Sequence, residues 1–238
     1  MTAQLDLGGI SVDVVFKDIK NVHLSVYPPT GRVRISAPGR MNLDTIRVFA
    51  ISKLDWIKRQ QIRLQGQERE TPREYLDRES HYLWGKRYLL RVLEMDAAPR
   101  VQLIPGKMLL RVRPRASEDK KQAIVAQFYR EQIKAAVPSL LARWAPILGV
   151  MVDRFYVQQM KTKWGSCNPR TRAIRINTEL ARKPQHCLEY IIVHEMVHFV
   201  ERHHGDRFVN LMDMFIPQWR QHRDELNRYP LAHQHWEC

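Results

Sequence analysis

Cysteine is scarce in this 238-residue chain: Cys167, Cys187 and Cys238 are all it has, at irregular spacing. That is too few for a disulfide framework, and an odd number would leave one thiol over in an oxidising compartment, so reduced thiols and a cytoplasmic location are expected. Long apolar runs are missing too. No stretch reaches the roughly 18 consecutive apolar residues of a spanning helix. The opening MTAQLDLGGISVDVVF has an early acid, Asp6, and neither the basic start nor the apolar run of a signal peptide. Acids are outnumbered: 25 Asp and Glu face 39 Lys and Arg, giving +14 and a pI near 10.0. The surplus points to an anionic partner, whether a peptide or other anionic substrate, a nucleotide or a nucleic acid, and the absence of a span argues against a membrane. No internal repeat or low-complexity segment is apparent.

What is present suffices for a core, since 44% of the residues are apolar and the length allows one large domain or two small ones. The first forty residues alternate apolar with polar (ISVDVVF, VHLSVYP, RVRISAP) and read as strands joined by turns. Asn42 caps a predicted helix over about residues 43–64. QGQERETPREYLD is polar and serves as a linker candidate; YLWGKRYLLRVLEM, RVQLIP and KMLLRVRP read as further strands. From Ser117 the periodicity becomes helical, with a second helix predicted from PSLLARWAPIL to Gly149. DRFYVQQM and TRAIRINTEL are predicted strands flanking KTKWGSCNPR, where Gly165, Asn168 and Pro169 suit a tight connection. Helices follow over KPQHCLEYIIVHEMVHFVERHH, closed near Gly205, then DRFVNLMDMF and PQWRQHRDELN. The expected organisation is α+β, with a strand-rich region over residues 1–116 and a second domain over 117–238.

The helix through YIIVHEMVHFV is apolar on nearly every side, yet it carries His194, Glu195 and His198. A buried imidazole or carboxylate without a partner costs about a few kcal/mol. His194 and His198, four apart, lie roughly 40° apart around the axis and about 6 Å along it, so both can reach one ion. Glu195, about 100° round, reaches a water on that ion instead. This is the chemistry of H-E-x-x-H: neutral imidazoles suit Zn2+, the metal lowers the pKa of its water towards 7, and the glutamate takes the proton. A mononuclear catalytic zinc needs a third protein ligand. His204 is favoured, provided the helix breaks near Gly205; His203 and Glu225 are the alternatives.

These residues, with KTKWGSCNPRTRAIRINTEL before them and PQWRQHRDEL after, resemble the YgjP-like metal-dependent hydrolases, relatives of the SprT-like zinc metalloproteases. The resemblance runs over most of the chain, and the turn Trp164 to Cys167 makes it more specific than H-E-x-x-H alone. It implies a zincin-like metallopeptidase fold, a small antiparallel sheet plus the H-E-x-x-H helix, with His194, His198 and His204 as ligands and Glu195 as base. His204, Gly205 and Phe208 match the relatives' pattern of histidine, glycine and then an aromatic.

From Arg154 to Thr178 there is no acid, but Arg154, Lys161, Lys163, Arg170, Arg172 and Arg175 all fall there. The strand before the metal helix is expected to border the cleft and pair with an extended substrate. Lys161, Lys163, Trp164, Arg172 and Arg175 are therefore candidate substrate contacts, although Trp164 more readily packs between sheet and helix. Candidates for stabilising an oxyanion are Lys163, Tyr190, His203 and Arg207. The function expected first is a zinc-dependent peptidase with one catalytic Zn2+. Alternatives are a metal-dependent nucleoside triphosphate pyrophosphatase or phosphohydrolase, and a nucleic-acid-associated protease or binding protein.

Overall fold

The computed structural model describes residues 2–27, 30–65, 74–160 and 163–228. Lys161 and the C-terminal HQHWEC lie outside the described residues. The chain divides into two compact units, one within residues 1–69 and one within residues 70–232. The division falls in the polar linker stretch rather than at 116/117, because the second group of strands shares its core with the helices that follow. Met108, Leu110 and Val112 are buried in one cluster with Val125, Ile133 and Leu188.

The first unit holds β1 (Thr2–Asp6), β2 (Ser11–Lys17), β3 (His23–Tyr27) and β4 (Arg32–Pro38), in sheet order β1-β2-β4-β3. Alternation puts Val12, Val14, Val33 and Ile35 on one face, fully buried with Ile46 and Ala50 of α1 (Leu43–Ser52) and Ile57 of α2 (Leu54–Gln65). Asn42 caps α1 as expected, accepting a 2.8 Å bond from the Thr45 amide. The single helix predicted over 43–64 is broken at Lys53, whose φ of −107° and ψ of 6° leave the helical range.

In the second unit β5 (Ser80–Leu83), β6 (Lys86–Glu94), β7 (Arg100–Ile104) and β8 (Lys107–Val112) have the order β5-β6-β8-β7. Both four-stranded sheets join their inner strands in parallel and their outer pairs antiparallel, and each is followed by a helix. The ββββα pattern therefore occurs twice. Sequence similarity does not reveal this repeat; what the copies share is burial, with Val33, Ile35 and Ala37 of β4 matched by Met108, Leu110 and Val112 of β8.

Two helices were expected between Ser117 and Gly149, but α3 (Glu118–Leu148) is one helix containing Pro138 and Pro146. An interior proline removes a hydrogen bond and costs about 3 kcal/mol. The helix continues because Val125, Tyr129, Ile133, Val137 and Trp144 are buried on both sides of Pro138. Gly149 ends it at φ 64°, where a residue without Cβ is favoured.

A mixed three-stranded sheet follows: β9 (Arg154–Gln158), β10 (Gly165–Asn168) and β11 (Ala173–Asn177), in order β10-β11-β9. The segments expected to form a hairpin, β9 and β11, are instead parallel neighbours, and the hairpin is β10 with β11. The turn signals belong to that tighter connection. Asn168 accepts from the amides of Arg170 and Thr171, and Arg172 closes the turn at φ 45°. Beyond a 3-10 helix at Thr178–Arg182 come α4 (Gln185–Val197), α5 (Asp206–Phe215) and α6 (Trp219–Arg228). α4 packs against α3, α5, α6, β10 and β11, which accounts for its apolar surface on nearly every side. Among the described residues no helix is long and apolar enough to cross a membrane.

Candidate active site

α4 stops at His198, where the chain turns over the last helical carbonyls: the Phe199 amide donates to Met196 and those of Val200 and Glu201 donate to Val197. The break thus precedes Gly205, which instead caps α5 at φ −83° and uses no left-handed freedom. The return carries His204 back over α4. Its Nε2 lies 3.1 Å from Nε2 of His194 and 3.1 Å from Nε2 of His198. Phe208, buried on α5, packs against all three rings at centroid distances of 5.0, 4.8 and 4.6 Å.

These nitrogens do not form an ordinary hydrogen-bond network. His198 donates Nδ1–H to the Glu201 carbonyl at 2.9 Å, which orients its Nε2 towards the other two rings. His194 is pushed down to about 3, first by burial and then by His198 and His204, so it is neutral at pH 7. Burial and the neighbouring His198 and His203 also lower His204. Among the described residues the buried Nδ1 of His194 has no hydrogen-bond partner, which leaves the Nε2 side for a strong interaction. Tetrahedral zinc with bonds of about 2.0–2.1 Å separates its ligand atoms by about 3.3–3.4 Å. The three residues therefore fit a single ion with one position open.

Glu195 is only 6% exposed. Burial raises its carboxyl to about 7, against a lowering pull from the Lys163 charge. β10 runs directly over it: a Cβ on Gly165 would fall 2.8 Å from Glu195 Oε1 and 2.9 Å from Ile191 Cγ2. Glu195 and the histidines open on a cleft of about 540 Å³. Lys163, Trp164, Cys167, Tyr190, Arg202 and Arg223 also line it. Among the described residues that line it, Glu195 is the only carboxylate.

Of the expected substrate contacts, Lys163 and Trp164 reach the cleft. Arg172 and Arg175 do not. Arg172 sits in the hairpin turn, bonded to Asp153 at 2.8 Å, and Arg175 lies over the Tyr156 ring, on the face of β11 opposite buried Ile174 and Ile176. Of the alternative ligands, His203 stands apart from the triad, its amide bonded to Glu201 Oε1, and Glu225 pairs with His186. Among the oxyanion candidates, Lys163 and Tyr190 line the cleft; His203 and Arg207 do not. Cys167 does line it, but burial and then Glu195 push its thiol up to about 11, so it is no thiolate nucleophile.

Arg202 and Arg223 went unnoticed in the sequence. For Arg223 a signal existed: it lies four residues after Trp219 and three before Leu226, both buried, so it neighbours them along α6 while staying exposed itself. Its guanidinium lies 5.2 Å from the Trp219 ring centroid. Arg202 sits in irregular chain, where periodicity gives no guidance.

Residues 20–229 match the model of the YgjP-like metallopeptidase domain. The chain belongs to the YgjP-like family. As a member it is a metal-dependent hydrolase of the metallopeptidase kind. Two solved structures resemble it in part. One is the metallopeptidase zymogen abylysin of Pyrococcus abyssi, at 18% identity and a TM-score of 0.36, covering 40% of this chain and 99% of that one. The other is the metallopeptidase zymogen jannalysin of Methanocaldococcus jannaschii, at 24% identity and 0.33, covering 40% and 92%. No curated protein matches the sequence.

Proposed function

We propose that this YgjP-like protein is a zinc peptidase that cleaves acidic, extended peptide segments, with His194, His198 and His204 holding the ion and Glu195 acting as general base. The observation that carries this reading is the convergence of three imidazoles, with His204 Nε2 at 3.1 Å from Nε2 of both His194 and His198, beside a buried carboxylate. Three imidazoles favour zinc over magnesium or calcium, which prefer oxygen ligands. When bound, the ion polarises the scissile carbonyl and acidifies water.

The chain's own groups do the rest. Glu195 takes the proton of the attacking water and later passes it to the leaving amine; a carboxyl raised towards neutrality suits both transfers. Tyr190, its hydroxyl pushed up to about 12 mainly by burial, stays protonated and can donate to a developing oxyanion, as can Lys163. β10 is the edge strand of its sheet, so an extended peptide can pair with it beside Glu195. The edge expected of β11 is not available, since β9 and β10 occupy both its sides. Lys163 and Arg202 line the cleft, as does Arg223, which is paired with Asp224 at 3.0 Å, and this positive charge favours acidic side chains on the substrate. A phosphohydrolase using Mg2+ would want several carboxylates, and the cleft supplies one.

The test is cleavage of an acidic, unstructured peptide library by zinc-loaded protein, compared with Glu195→Gln. Loss of cleavage with zinc retained is expected. A Glu195→Gln variant as active as wild type would sink the reading, and phosphate release from nucleotides without peptide cleavage would replace it.

A further inference from the structure

Eight residues before His194, at the opposite end of α4 and about 12 Å away along its axis, a second group of ligand-type side chains comes together. His186 in the first turn of α4 faces His222 and Glu225 of α6. His222 and Glu225, three apart, share one face of that helix. His186 Nε2 is 2.5 Å from Glu225 Oε2, and the His186 and His222 rings are 4.7 Å apart with a 36° tilt. One ligand atom from each residue lies within 4.8 Å of the others. The first triad is the only other such group among the described residues.

We propose that His186, His222 and Glu225 form a second divalent-metal site, for zinc or another imidazole-preferring ion, that ties α6 to the first turn of α4. Two imidazoles and a carboxylate are a donor set for zinc-like ions rather than for magnesium or calcium. Access is open: the side chains of His186 and Glu225 are 41% and 39% exposed, and His186 and His222 border a cleft of about 270 Å³ that has room for water as a further ligand. Glu189, which lines that cleft, is engaged by Arg143 Nη1 at 2.9 Å and Trp144 Nε1 at 2.8 Å. α6 also carries Arg223 into the catalytic cleft, so a tie between α6 and α4 fixes a wall of that cleft.

The test uses full-length protein freed of metal with a chelator, then titrated with Zn2+ alone and analysed for bound metal after desalting. Two equivalents are expected. His222→Ala and Glu225→Gln should each leave one, as should the double variant His194→Ala/His198→Ala. In that double variant Zn2+ should still raise the melting temperature, and adding His222→Ala should abolish the rise. Two equivalents surviving both His222→Ala and Glu225→Gln, or one equivalent untouched by either, overturns the second site. A single wild-type equivalent that disappears with His222→Ala would instead uphold this site and sink the reading of the first triad, so the two failures are distinguishable.

Discussion

Gly165 and Glu195 are in contact across the cleft: a methyl group on the glycine would press to 2.8 Å from the glutamate's Oε1 and 2.9 Å from its Cγ. The glycine therefore does more than permit a turn. It lets the edge strand lie directly on the buried carboxylate, which fixes the side chain and excludes water from one side of it. Gly165→Ala should overpack this contact and cost about 1–3 kcal/mol of stability. Displacing the base by a fraction of its length should lower kcat by roughly 100-fold. Zinc content should hold, because the three atoms nearest such a methyl belong to Glu195 and Ile191 and not to the histidines. Parallel metal analysis and kinetics would decide; an alanine variant with wild-type kcat would show that Glu195 has room to move.

The same burial makes Glu195 a pH-dependent liability in the metal-free protein. Its carboxyl is raised from 4.5 to about 7, so the folded state holds a proton that the unfolded state releases between those values. A raised carboxyl destabilises the fold when ionised. Metal-free wild type should therefore lose stability as pH climbs from about 4.5 to about 7, by up to about 3 kcal/mol, relative to Glu195→Gln. Denaturant midpoints of the two metal-free proteins at pH 4.5 and pH 8 test this. The gap should be present at pH 8 and shrink at pH 4.5; a gap independent of pH would refute the assignment.

The parts of the site that lie close together in the chain could be read from sequence, while those depending on long-range pairing could not. His194, Glu195 and His198 sit within one helical turn and a half, where spacing alone fixes their directions. His204 required only a break in the helix, though the break came at His198 rather than at Gly205. The sheet was a different problem. Alternation identified strands over Arg154–Gln158 and Ala173–Asn177, but nothing local distinguishes a hairpin partner from a parallel neighbour. The four residues of β10 were too short and too glycine- and turn-rich to read as a strand. Placing Arg172 and Arg175 in the cleft followed from that error. The single helix α3 was missed for the opposite reason: Pro138 is a strong local stop signal, overridden by burial that becomes visible only once the core is assembled.

His203 and His204 are adjacent in the chain, but only one of them meets the other two rings. His204→Ala should remove a ligand and with it most of the zinc bound at the triad, whereas His203→Ala should leave metal and activity near wild type. Measuring both in the His222→Ala background keeps any second equivalent out of the count. Equal zinc loss in the two variants would mean that the turn after His198 can present either ring.

Asn177, 4% exposed, holds the segment that delivers Lys163 and Trp164. Its Nδ2 donates to the Met160 and Lys163 carbonyls, both at 2.8 Å, its Oδ1 accepts from the Glu179 amide at 3.1 Å, and its own amide donates to Trp164 at 2.9 Å. Asn177→Ala removes the side-chain partner of two carbonyls and of the Met160 and Glu179 amides, at about 1–3 kcal/mol for each group left buried without a partner. The expected kinetic signature is a raised KM with a smaller change in kcat, since Glu195 is supported from α4 rather than from this loop. A variant losing kcat alone would place Asn177 closer to the chemistry than its bonds indicate.

The charge of the cleft gives a test that separates substrate from mere polyanion. Lys163 and Arg202 face a space whose one carboxylate among the described residues, Glu195, is buried, so long-range attraction should speed the capture of acidic peptides. Lys163→Glu should lower kcat/KM for acidic peptides more than for neutral ones, and the difference should fade between low salt and 0.5 M, as screening shortens the reach of charge from about 10 Å at 0.1 M. Nucleic acid bound through phosphates would show a steeper loss with salt, since each neutralised phosphate adds about 0.9 to the logarithmic slope for duplex DNA. If Lys163→Glu changes acidic and neutral peptide cleavage alike at all salt concentrations, while duplex binding persists with a slope of several, the basic surplus serves nucleic acid rather than substrate selection.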